Sequence, residues 1–170
     1  MTTDRDLAFL LQKYETFERE VIAPAVFTRI APLEVGWCPT DEDLRPSDAA
    51  ELGFSPVETG FRWGPAWARG WFRVRAPMPP DPGRVALRFD AGTEALLFDG
   101  DRPWQGLDAN RDAAPLPPSA GRQSGMLELL IEAECMHPWG VRAFAWDTSE
   151  THRRWASADP GHLTLAELAS

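Results

Sequence analysis

The first twenty-odd residues carry apolar side chains at three- and four-residue steps. Leu7, Leu10, Leu11, Tyr14, Phe17 and Val21 fall on one face of a helix with Thr3 as its cap, Asp6 three residues on and Pro24 as its stop. Such a stripe must be covered, and its own sheet is the first expectation, another subunit the second. From residue 31 the period changes to two. Leu33, Val35 and Trp37 alternate with Glu34 and Gly36, and residues 40–60 read as loop with one helical turn at 48–52. In the next strand Phe72, Val74 and Ala76 face one way while Trp71, Arg73 and Arg75 face the other.

The run Pro77–Gly83 lacks ladder donors and is a turn. Val85, Leu87 and Phe89 then begin another strand, and Asp99-Gly100 separates two more at 94–98 and 102–107 as a tight hairpin. Residues 108–124 read as a polar, proline-rich loop. The stretch 126–135 alternates most cleanly, with Leu127, Leu129, Ile131, Ala133 and Cys135 on one face and Glu128, Glu132 and Glu134 on the other. Apolar runs at 141–146 and 162–165 precede Ala166-Glu-Leu-Ala, which reads as a helix beginning. Many short strands broken by turn signals predict a mainly β, jelly-roll-like antiparallel β-sandwich with an N-terminal α-helix.

Composition narrows the function classes. With 170 residues the chain is one domain with a short appendage, large enough for a core without staples. A net charge of −9 with scattered Arg and Lys excludes nucleic acid and anionic lipid as natural partners. No apolar run approaches the ~20 residues of a membrane span, and the polar, acidic start lacks the order of a secretion signal, so a cytoplasmic location is expected. Cys38 and Cys135 read as reduced thiols.

Catalytic chemistry finds little support. The histidines His137, His152 and His162 are fifteen and ten residues apart, neither of which is metal-ligand spacing on a helix. Glu132 and Glu134 share one strand face, roughly 6–7 Å apart. That separation suits a glycosidase pair, but neighbours on one face do not flank a bound sugar, and a solvated strand face explains them better. Ser55, Ser124 and Ser157 lack a nucleophile-elbow setting. Four tryptophans on loop or rim positions, Trp63, Trp67, Trp104 and Trp139, are candidate carbohydrate-binding residues because flat rings stack on the C–H faces of sugars; core or interface packing is the competing reading.

The blocks Phe54–Gly60, Trp63-Gly-Pro-Ala-Trp67, Trp71-Phe-Arg-Val74, Val85–Phe89, Glu94–Phe98, Pro103-Trp-Gln-Gly-Leu107, Leu127–Ala133 and Leu163–Ala169 carry a resemblance. In order and spacing they are similar to the N-terminal β domain of the cytosolic, vacuolar and bacterial α-mannosidases of glycoside hydrolase family 38. One departure is Glu134-Cys-Met-His-Pro-Trp-Gly140, where the family has an Ala-Cys-Asn-Gly-like corner.

The resemblance implies a galactose-binding-like jelly roll without a catalytic centre. Its expected partners are the catalytic domain of the same polypeptide, a homo-oligomer and a glycan. Zinc or another divalent metal and an Asp nucleophile are implied only for the catalytic domain, with no cofactor or metal in this chain. On this reading residues 1–30 are a helical segment, 31–165 the sandwich, and 166–170 the start of a linker helix. A free-standing carbohydrate-binding module is the alternative, and a small independent enzyme a remote third.

Overall fold

The computed structural model describes residues 4–65, 67–108, 111–120, 125–135 and 161–170. It opens with helix α1 (Asp4–Phe17), a π-helical turn (Glu18–Ile22) and a short helix α2 (Ala23–Val26). Thr3, expected as the cap, lies outside the described residues. Helix does not stop at Pro24 as the sequence suggested. The proline sits in the first turn of α2, directly after the π-helical turn, and the helical path continues through it.

Twelve strands follow among the described residues: β1 (Arg29–Pro32), β2 (Glu34–Pro39), β3 (Ser55–Val57), β4 (Arg62–Gly64), β5 (Arg69–Pro77), β6 (Ala86–Asp90), β7 (Glu94–Asp99), β8 (Arg102–Leu107), β9 (Ala113–Pro115), β10 (Met126–Glu134), β11 (Gly161–His162) and β12 (Leu165–Ala169). They form one sheet of order β3-β2-β5-β10-β7-β8, a second of order β1-β12-β6-β9, and the small pair β11-β4. Every pairing between these strands is antiparallel.

The core lies between the two larger sheets and is made by the period-two pattern. Val35 and Trp37 of β2, Phe72, Val74 and Ala76 of β5, Leu97 of β7 and Leu127, Leu129, Ile131 and Ala133 of β10 meet Leu87 and Phe89 of β6 and Leu168 of β12. Phe72 is central: its ring centroid lies 4.5 Å from Trp37, 5.1 Å from Phe89 and 6.0 Å from Trp63. At Gly70 a Cβ would stand 2.4 Å from the Trp37 ring and 2.5 Å from the Cys38 carbonyl oxygen, so only glycine admits that indole.

Each edge strand of the two larger sheets contains a proline: Pro56 in β3, Pro103 in β8, Pro32 in β1 and Pro115 in β9. Edge positions tolerate the missing donor, and the interruption keeps another strand from adding to the sheet. Part of the proline richness therefore serves the sheet borders as well as the turns.

Several sequence expectations are corrected. The segment 166–169 is strand, not an incipient linker helix. β12 is flanked on both sides by β1 and β6, and Leu168 faces Leu87 in register, so tertiary pairing overrides the helical propensity of Ala-Glu-Leu-Ala. The 40–60 and 108–124 loops each contain a short edge strand, β3 and β9. The helical turn lies at Pro46–Ala49 (α3), slightly before the expected 48–52. Trp71 points outward on β5 as expected yet is fully buried, because Ala49 of α3 and Phe98 cover it in a second cluster. The apolar run at 141–146 lies outside the described residues.

Candidate functional site

The outer face of the six-stranded sheet holds a charged ladder built by register. Arg75 stands across from Glu128 and donates to it at 2.6 Å, and Arg69 bridges Glu132 at 3.1 Å and Asp43 at 2.7 Å. The Arg69 guanidinium holds its proton more tightly than a free arginine, chiefly through its hydrogen bond to Asp43 and then that to Glu132, with burial opposing. Arg73 lies over the Phe54 ring at 4.0 Å and donates to the carbonyl oxygen of Ala50. Glu132 is thus engaged by a cation on the sheet face, an arrangement suited to holding strands together.

The tryptophan expectations separate. Trp63 is in the core at 7% exposure, its indole N–H donating to the Ala91 carbonyl at 2.9 Å and its ring 4.9 Å from Trp37. A ring so enclosed offers no face to a sugar, because pairing of β4 with β11 turns it inward. Trp67 is 54% exposed and sits at φ 73°, a left-handed conformation costly for a bulky residue, with its N–H held by the Cys135 carbonyl at 2.6 Å. Trp104 is 38% exposed on the edge strand β8, and its indole N–H donates to Pro115 at 2.8 Å. Trp139 lies outside the described residues.

Trp67 and Trp104 do not form one site. Trp67 is tied to the residue after β10, whereas Trp104 lies beside the far part of β7, two strands across and about four residues along, roughly 15 Å away at the backbone. Among the described residues no group of three or more His, Cys, Asp or Glu side chains is placed to hold a metal ion. His162 donates its backbone N–H to Ala91, while His137 and His152 lie outside the described residues.

The most exposed apolar surface is the N-terminal helix. Leu7, Phe9, Leu10, Leu11, Tyr14, Phe17 and Val21 are each more than half exposed. The expectation that this stripe packs on its own sheet fails: the two sheets bury each other's inner faces, and the core is complete without α1. Sequence periodicity located the stripe but could not say what covers it.

An antiparallel jelly roll with a buried aromatic core and an N-terminal helix defines a β-sandwich domain. Comparison of families places it further. The family model for the α-mannosidase jelly roll domain matches residues 30–159, and the chain belongs to that family. Over 101 residues it is 30% identical to human alpha-mannosidase 2C1, a match covering 56% of this chain and 10% of that protein. The chain thus spans a small part of the relative's length. No helix among the described residues is long and apolar enough to cross a membrane.

Proposed function

We propose that this chain is the non-catalytic N-terminal module of an α-mannosidase, packing against the catalytic domain of the same polypeptide and aiding its assembly. The observation that carries the reading is the family match across residues 30–159. The reaction proposed for the whole polypeptide is retaining hydrolysis of terminal α-mannosides in glycan turnover, with zinc or another divalent metal and the nucleophile held in the catalytic domain. A cytoplasmic, bacterial setting is part of the proposal, supported for the compartment by a cysteine content of only two in 170 residues, too low for a disulfide framework.

The first test is the encoding reading frame beyond Ser170. We expect it to continue into a domain with a metal-ligand cluster, and removal of residues 1–170 from that product to abolish assembly or activity on an aryl α-mannoside. A stop codon after Ser170, or full activity and assembly without these residues, refutes the reading.

A second reading, sugar binding at the sandwich rim, is favoured by one observation: Trp67 is held exposed in a costly backbone conformation. It predicts saturable binding to a mannose-containing glycan panel that Trp67→Ala weakens roughly two- to tenfold, the scale of one lost aromatic stacking contact. Trp104→Ala serves as the comparison. No binding across the panel removes this reading.

A further inference from the structure

The segment between β2 and β3 crosses the outer face of the six-stranded sheet, over an aromatic patch that is separate from the core between the sheets. Ala49 of α3 and Trp71 of β5 are both fully buried there, and the Trp71 ring lies 5.4 Å from Phe98. Leu52, Leu96 and Leu130 pack around them and are only partly buried.

Few bonds hold this segment down. The Thr40 N–H donates to the Arg69 carbonyl at 3.1 Å, Asp43 accepts from Arg69 at 2.7 Å, the Ser47 N–H donates to Asp101 at 2.8 Å, and the Ala50 carbonyl accepts from Arg73. Asp43 and Asp101 are exposed, so water competes for both. The backbone bonds of Asp48, Ala49, Ala50, Glu51 and Leu52 run to carbonyls within the segment itself, so they survive if it lifts as a unit. Beneath it the buried indole N–H of Trp71 has no acceptor among the described residues. The closed state therefore carries the desolvation cost of an unpaired donor, which opening returns to water.

We infer that residues 40–54 form a hinged strap that opens while the two sheets stay folded, and that the patch it uncovers binds an apolar ring carrying an anionic group. The ring belongs against Trp71 and Phe98. The anion belongs on Arg73, which follows Trp71 by two residues on the same strand face, roughly 6–7 Å away. Opening parts Arg73 from the Ala50 carbonyl and from the Phe54 ring that it covers at 4.0 Å. The other arginines of this face are held by carboxylates on β10, Arg75 by Glu128 at 2.6 Å and Arg69 by Glu132 at 3.1 Å. Glu128 stands 3.9 Å from Arg73 while engaged by Arg75, so Arg73 is the guanidinium best able to take a second acceptor. The inference goes beyond the mannosidase reading and does not depend on it.

The experiment is native-state hydrogen exchange by NMR on the 170-residue chain, followed by titration with anilinonaphthalene sulfonate, an aromatic anion. The Trp71 indole N–H and the Ala50 amide are expected to exchange faster than the amide of Ile131 in β10, at a rate that low urea barely changes, because a local opening exposes little surface. Exchange of all three at one rate with one urea dependence overturns the strap. Asp101→Ala should speed exchange at Trp71 and Ala50 about two- to tenfold, the range of one hydrogen bond, and leave Ile131 unchanged. Ser119→Ala, which removes the donor to Asp99 on the same hairpin, should leave the strap as it is. An unaffected Asp101→Ala strap, or an equal effect from Ser119→Ala, refutes the latch.

Binding is read from the Trp71 indole N–H resonance, which distinguishes this patch from the exposed face of α1. In Asp101→Ala the probe should bind more tightly by the same factor as the exchange, because affinity scales with the open fraction. Arg73→Gln should also speed exchange, since it removes a second tie, yet give no gain in binding. A gain equal to that of Asp101→Ala overturns the assignment of the anion to Arg73, and no perturbation of Trp71 in any variant overturns the site.

Discussion

The aromatic centre of the core gives the sharpest stability prediction. Phe72 is fully buried and touches rings on three sides, Trp37 and Trp63 toward one end of the sandwich and Phe89 of the opposite sheet. Phe72→Ala removes most of that side chain from a site that cannot collapse. Its β5 backbone is clamped between β2 and β10, and Gly70 two residues earlier already lies against Trp37.

Lost transfer free energy and the residual cavity together make the cost about 3–5 kcal/mol, a large share of a typical domain's ~5–15 kcal/mol. For a chain of this size that lowers Tm by roughly 8–16 °C. Urea titration and thermal melts by circular dichroism read the change, with an unchanged m-value identifying a loss of native stability rather than a change in compactness. Phe9→Ala is the matched comparison, because Phe9 is 56% exposed on α1 and should cost about 0.5 kcal/mol or less in dilute monomer. Equal effects from the two substitutions would refute the assignment of the core to the space between the sheets.

Three further outcomes follow from local geometry. Gly70→Ala should destabilise by about 2 kcal/mol or more in urea titration, since the added Cβ meets a ring and a strand carbonyl at once. Hydrogen exchange should find the amide of Leu168 protected to nearly the global limit, as a fully buried position of a strand paired on both sides, and Leu168→Asp should prevent folding; rapid exchange there would contradict the pairing of β12 with β1 and β6. Glu132→Gln should cost more than Asp43→Asn, about 1–2 against under 0.5 kcal/mol, because the Asp43 side chain is 91% exposed and Glu132 is only 26% exposed. The Arg69 proton is held more tightly in the folded state. Its contribution is therefore fully present below the ordinary arginine range and is lost only as pH rises above it, so Arg69 adds no slope to stability between about pH 6 and 9.

Much of this domain was legible in the sequence because period-two alternation is a local property. Phe72 and Val74, or Leu129 and Ile131, must share a face in any strand, and the order of motif blocks carried the family resemblance. The N-terminal helix was equally plain from its repeat. What required the tertiary structure was everything set by neighbours distant in the chain. Ala166-Glu-Leu-Ala became a strand because two partners flank it, and Trp71 was buried on a nominally outer face because α3 folds over it.

Trp63 and Trp67 show the same divide within one loop. Four residues apart with similar flanks, one is drawn into the core beside the β4–β11 pairing of Gly64 with Gly161, and the other is left at the rim in a left-handed conformation. Local sequence fixes which faces a segment has. Only the packed sheets decide which face meets another, since burial is a property of the pair of surfaces and not of either chain segment.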